Sequence, residues 1–152
     1  MQAEKIIKQN IELLPIAPKD IDTYWSLCQF MIIEALQYNG RKTSAPQIKQ
    51  EIIEGFLQLY IIFGSDDGVE NKMFGVLITR ITDHPNLLQL EVEILTGKKR
   101  ELWEDKVIVT LEQLAVMNDC ARISILARPG WKKLGDKNGY KVKNYEFVKQ
   151  ML

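Results

Sequence analysis

At 152 residues, with 46% hydrophobic and 26% charged side chains, the chain has the length and balance of one globular domain spanning 1–152, and a second full domain is excluded. Its 20 basic and 20 acidic residues cancel, which argues against non-specific nucleic-acid binding. No apolar run approaches the ~18 residues of a membrane span, Glu4, Lys5 and Lys8 occupy the stretch a signal peptide would keep apolar, and Cys28 and Cys120 show no CxxC or Cys/His spacing. The expectation is an intracellular, soluble protein with two reduced, buried thiols and no metal site.

Charge is unevenly spread along the chain. Residues 51–96 hold eight acids against Lys72 and Arg80, whereas residues 120–152 hold eight bases against Asp136 and Glu146. One end should therefore be electropositive, which suits an anionic small molecule or an acidic partner; solvated lysines are the plainer alternative.

In chain order, Asn10 to Ala17 reads as a short extended segment closed by Pro15 and Pro18. Asp20 then caps a helix whose apolar face is Ile21, Trp25, Cys28, Ile32 and Ala35, with Asn39-Gly40 as its stop. Ser44 and Gln47 form a capping box around Pro46, opening a second helix with Ile48, Ile52 and Phe56 on one face. The period then changes from 3.6 to 2. Leu57–Gly64, Lys72–Thr82 and Leu87–Leu95 are strand-like runs joined by the turn-rich Ser65–Gly68 and Asp83–Asn86, an antiparallel meander. Gly75 in the middle run predicts a bulge or a close backbone approach. Thr96-Gly97 opens a third helix through Leu102, Trp103, Val107, Leu111 and Ala115. Arg122–Ala127 is a strand reached through that helix, hence parallel to its predecessor. Pro129 to Lys137 is a short helix, and the tail from Tyr140 holds one or two strands with a turn or bulge near Asn144.

The chemistry concentrates on the third meander strand. Glu91 and Glu93, set between Leu90, Val92 and Ile94, project from one face, where a close carboxylate pair can raise one pKa towards neutrality, as a general base requires; a half-exposed strand shows the same alternation. His84, the only histidine, has turn neighbours and no partner for a triad, and reads as a solvated loop residue. Trp25 and Trp103 are core anchors, and Trp131 either covers the core or stacks on a planar ligand. No P-loop, GxGxxG or GxSxG is present.

This order of elements, together with LEVEILTGKKRELW (Leu90–Trp103), LEQLAVMNDC (Leu111–Cys120), RISILARPGW (Arg122–Trp131), NGY (Asn138–Tyr140) and Trp25, resembles the GCN5-related N-acetyltransferase (GNAT) fold. It is similar in particular to small GNAT-like proteins of tailed bacteriophages and prophages. The resemblance runs from about Ile11 to Val148. It implies an α/β (α+β) acyl-CoA N-acyltransferase fold, with a mixed, mainly antiparallel sheet and flanking helices. The implied activity is transfer of an acetyl group from acetyl-CoA to a small-molecule or protein amine, with Glu93 or Glu91 as base, in the cytoplasm of a bacterial host.

In such enzymes the cofactor lies in a V-shaped splay between the fourth and fifth strands, its pyrophosphate on backbone N–H groups at the next helix start. Carried onto this sequence, the cofactor-binding set is Leu95, Gly97, Lys98, Lys99, Arg100 and Ser124. The family's Q/R-x-x-G-x-G/A pattern is departed from: Lys98 begins it, but Glu101 and Trp103 stand at the two small positions. Gly135 stands where many members carry the tyrosine acid, and Tyr140 fills a packing position. The alternative is a non-catalytic binding or structural module, such as a phage assembly component associated with the virion, with Trp103 filling the splay and the basic tail docking an acidic partner. A phosphometabolite sensor using Lys98–Arg100 is a third.

Overall fold

The computed structural model describes residues 10–38, 42–127, 129–143 and 147–151. Five strands, β1 (Asn10–Ile16), β2 (Gln58–Ser65), β3 (Lys72–His84), β4 (Leu87–Gly97) and β5 (Cys120–Ile125), form one sheet in sequence order. The β1–β2, β2–β3 and β3–β4 joints are antiparallel and β4–β5 is parallel. Helices α1 (Ile21–Tyr38), α2 (Ala45–Ile53), α3 (Glu104–Met117) and α4 (Lys132–Lys137) complete the fold.

Helix α2 starts as its capping residues require: the Ser44 hydroxyl accepts from the Gln47 N–H at 3.3 Å, and Pro46 sits in the first turn. It ends before Gly55, whose φ of +85° breaks the helix, so Phe56 lies outside it and is exposed rather than on its apolar face. Asp20 closes a 3-10 turn, Pro18–Asp20, that runs directly into α1. Asn39 and Gly40, read as the stop of α1, lie outside the described residues.

The sheet separates two apolar layers. Ile21, Cys28 and Ile32 of α1, with Ile48 and Ile52 of α2, pack on Ile61, Val76, Ile78 and Ile94. On the opposite face, Trp103 and the α3 residues Val107, Leu111 and Ala115 pack on Leu77, Leu90 and Val92. Trp25 is only partly buried against the first layer, whereas Trp103 is fully enclosed in the second.

Val92 and Ile94 are two apart on β4 yet belong to opposite layers. The register explains it: Ile78 pairs with Ile94 and Thr79 with Val92, leaving Glu93 as an extra, bulged residue. A like shift on β3 opposes Ile62 to Gly75 and Phe63 to Met73, with Phe74 the extra residue. Gly75 and Gly97 face each other across β3 and β4. A Cβ on Gly97 would lie 2.3 Å from the Phe74 carbonyl oxygen, and one on Gly75 the same distance from that of Thr96. Strand approach alone therefore accounts for both glycines.

Three expectations are corrected. The third helix does not open at Thr96-Gly97: β4 runs to Gly97, a 3-10 turn covers Arg100–Leu102, and α3 begins only at Glu104. The described residues of the tail after Tyr140 contain no strand and join no ladder of the sheet; Asn144 lies outside the described residues. Cys120 is only partly buried, at the start of the edge strand β5, while Cys28 is fully buried. Among the described residues, no helix is long and apolar enough to cross a membrane, and no group of three or more metal-ligating side chains occurs.

Candidate functional site

β4 and β5 run side by side only through Val92 and Ile125. Beyond that pair β4 continues to Gly97, held on its other edge by β3, while the chain after Ile125 turns away to a 3-10 turn at Pro129–Trp131. The two strands thus splay apart. The edge of Glu93–Gly97 that faces the splay has backbone groups without a β5 ladder. The opening leads to a cleft of about 350 Å³, walled by Leu95, Thr96 and Gly97 on one side and Gly130 and Trp131 on the other, with Arg100 and Trp103 between them.

The loop at the mouth is tightly bonded. The Lys98 N–H donates to the Phe74 carbonyl at 2.7 Å, and the Trp103 indole N–H donates to the Lys98 carbonyl at 2.8 Å. Lys99 adopts a left-handed conformation, φ 53°, and its ammonium is bonded to Asp66, which also holds Lys72 at 3.3 Å. Lys99 first and Lys72 second hold the Asp66 carboxyl below its usual range. Asp67 beside it is also held below the usual carboxylate range, by the backbone N–H groups of Val69 and Glu70 and the Ser65 hydroxyl. The Arg100 guanidinium lies 3.7 Å from the Trp131 ring centroid, donates to Glu104 at 2.6 Å and to the Gly130 carbonyl at 3.0 Å. The Trp103 and Trp131 rings are 6.0 Å apart.

Of the sequence-predicted residues, Leu95, Gly97 and Arg100 meet in the cleft, and Lys98 and Lys99 are exposed on its loop. They do not stand at a helix N-terminus: the first turn of α3 carries Glu104 and Asp105, acids that complement the dipole themselves. Ser124 is exposed on β5 as the register partner of Glu91.

The two glutamates have different surroundings. Glu93, at the bulge where the splay opens, has a side chain only 1% exposed, with its carboxylate 3.2 Å from Arg80; Arg80 reaches Glu51 of α2 at 3.0 Å. Glu91 is partly exposed. Its carboxylate accepts from the Thr82 hydroxyl at 3.0 Å and the Gln89 amide at 2.8 Å, and the Gln89 carbonyl oxygen in turn accepts from Arg122. The bulge thus breaks the simple alternation expected of the pair. Tyr140 is not in the cleft: its hydroxyl is buried, and burial first and Glu112 of α3 second raise its pKa.

Sequence reasoning missed Arg80 and Asp66. Arg80 is an isolated cation in an apolar strand run, a visible signal, but its partners follow from register alone. Asp66 sat in a stretch read only as turn chemistry.

No protein-family model matches the chain, and no curated protein matches it. Solved structures do. An aminoglycoside acetyltransferase from an uncultured soil metagenomic sample superposes with a TM-score of 0.67 at 11% identity, over 95% of this chain and 100% of that one. Glucosamine-6-phosphate N-acetyltransferase from Arabidopsis thaliana gives 0.64 at 14% identity, over 93% and 99%. A predicted acetyltransferase from Clostridium acetobutylicum, solved with acetyl-CoA, gives 0.62 at 10% identity, over 92% and 96%. The mixed sheet, its flanking helices and these superpositions identify the fold of this chain as that of the GNAT-type acyl-CoA N-acyltransferases.

Proposed function

We propose that this protein transfers an acetyl group from acetyl-CoA to an amine. The observation that carries this reading is the splay beyond Val92 and Ile125, because it presents the Leu95–Gly97 edge of β4, which carries no β5 ladder, to a cleft of about 350 Å³. A pantetheine arm contains two amides, and an open strand edge bonds amides as a further strand would. Along the arm the residues therefore fit the cofactor, with Leu95 and Gly97 as its wall; Ser124, the register partner of Glu91, does not line this cleft. At the diphosphate end, Lys98, Lys99 and Arg100 would hold the anion, with Lys99 exchanging Asp66 and Arg100 exchanging Glu104 for it. The bound cofactor supplies an activated thioester carbonyl.

The chain's own part is to remove a proton from the attacking amine. Glu91 is the carboxylate for this role: it is reachable from solvent, and Thr82 and Gln89 fix its orientation. Glu93 is a positioning residue, anchored by Arg80 at the bulge that opens the splay.

A second reading, a binding module in which no acyl group moves, draws on one observation: Trp103, 1% exposed, fills a position where the family pattern has a small residue.

Titration with acetyl-CoA by calorimetry and thermal shift separates the two. Ligand at ~100 Kd should add about 2.7 kcal/mol to stability. Thiol release with a panel of amines, including an aminoglycoside and glucosamine 6-phosphate, should then reveal turnover, and Glu91→Gln should lower kcat by about 100-fold or more without weakening cofactor binding. Absence of binding at millimolar acetyl-CoA would sink the acetyltransferase reading.

A further inference from the structure

One corner of the sheet face turned to α1 and α2 is polar rather than apolar. Directly paired residues, and residues two apart on a strand, share a face. Arg80 pairs with Glu91 and Glu91 with Ser124, while Thr82 pairs with Gln89 and Gln89 with Arg122, so these side chains form one array across β3, β4 and β5. Arg80 reaches Glu51 of α2 from it, and the interleaved Leu90 and Ile123 pack in the α3 layer on the other side.

Gln89, only 5% exposed, ties the array together. Its amide donates to the Glu91 carboxylate at 2.8 Å and its carbonyl oxygen accepts from Nε of Arg122. A single buried carboxamide thus orients both groups, and its length keeps the Glu91 carboxylate and the Arg122 Nε within about 8 Å of each other. Arg80 and Arg100 each hold a carboxylate, whereas among the described residues no carboxylate pairs with Arg122, which is exposed on β5. With Nε bonded to Gln89, the two terminal nitrogens of Arg122 are the fork that suits an oxyanion.

The ladder sets the order of these groups. Val92 and Ile125 stand at the splay, Glu91 and Ser124 come next, and Gln89 and Arg122 follow. A molecule that offers its amine to Glu91 therefore lays its remainder about 7 Å further from the splay, over Arg122. We propose that the acceptor is a small zwitterion, a primary amine carrying a carboxylate or phosphate within a few bonds of its nitrogen, and that Arg122 is the specificity-determining residue that binds this oxyanion. The inference rests on the acetyl-transfer reading with Glu91 as base. Both charges of such an acceptor are matched, ammonium to Glu91 and oxyanion to Arg122, whereas a polyamine would set a second cation against the guanidinium.

Thiol release is measured with matched pairs, O-phosphoethanolamine against ethanolamine and β-alanine against β-alaninamide. The anionic member of at least one pair should have a kcat/KM at least about 10-fold higher, and the pair that shows it distinguishes phosphate from carboxylate. Arg122→Gln should cut that ratio by about 10- to 100-fold, mainly through KM, with acetyl-CoA affinity unchanged, and Arg122→Lys should keep part of it. Taking the ratio cancels any disturbance of Glu91 passed through Gln89, the effect a merely structural arginine would have. Equal kcat/KM within both pairs, or a preference indifferent to Arg122→Gln, would overturn the proposal and leave acetyl transfer standing. If no amine turns over, calorimetric titration of the parent and Arg122→Gln chains with the two anionic amines decides instead. Binding lost with Arg122 would uphold the oxyanion site without the acetyltransferase reading, and no binding to the parent would overturn it.

Discussion

Arg80 is paired across the strands with Glu91, yet its guanidinium stands 3.2 Å from the carboxylate of Glu93, one bulge further on. The extra residue on β4 is what brings Glu93 within reach. Glu93 is thereby buried with a cation, and that cation is tied to Glu51 of α2.

Removing one partner of such a buried pair strands the other charge. Arg80→Met should lower stability by about 3 kcal/mol, and adding Glu93→Gln to it should restore part of the loss. Urea unfolding of the two single variants and the double variant tests this; an Arg80→Met protein within ~1 kcal/mol of the parent would show that the pair carries no such burden.

Trp103 combines packing with a single directed bond. Trp103→Phe keeps most of the buried ring but loses the indole bond to the Lys98 carbonyl, a loss of about 1 kcal/mol plus the missing volume. Trp103→Ala should cost about 3–5 kcal/mol. Equal denaturation midpoints for the two variants would contradict the assignment of Trp103 to the α3 layer.

The glycines divide into two kinds. Gly97→Ala drives a methyl into the Phe74 carbonyl and should destabilise by more than about 2 kcal/mol. Gly139→Ala meets no atom within 4 Å but must hold φ at +81°, and should cost about 1 kcal/mol. Thermal midpoints should therefore fall in that order.

Burial pushes the Cys28 thiol up to about 11, from an ordinary value of 9.0. The folded state holds its proton more tightly than the unfolded state, so the contribution to stability is complete below pH 9 and declines as pH rises towards 11. Cys28→Ala should flatten the fall in stability across that window. In the native protein, a thiol reagent at pH 8 should modify Cys120 readily and Cys28 only at the rate of unfolding; equal rates would contradict the burial of Cys28.

The meander was legible because three runs alternate with period 2 between turn residues, yet β3 and β4 are longer than that pattern indicated. Asn86 adopts φ 76°, which tightens the turn to Pro85-Asn86 and lets Asp83 and His84 join the ladder. The start of α3 was misplaced because nothing in Lys98-Lys99-Arg100 breaks a helix; Lys99 takes its left-handed conformation under tertiary constraint, including the bond to Asp66. Glu91 and Glu93 stood out as carboxylates within an apolar run, but their separate environments depend on the bulge and on Arg80, which arise from pairing across the sheet. The tail failed as a strand prediction for a related reason: alternation describes one side of a ladder and says nothing about whether a second side exists.

The parallel joint between β4 and β5 has a kinetic consequence. The β2–β3 and β3–β4 joints close over a few residues, whereas β5 can pair with β4 only after the chain has passed through all of α3. Loop-closure entropy makes that joint, like β1–β2 across α1 and α2, later than the two hairpins, so substitutions in β5 should accelerate unfolding and leave the refolding rate almost untouched, while those in β3 should slow refolding. The opening between β4 and β5 would then be shaped upon a meander already formed.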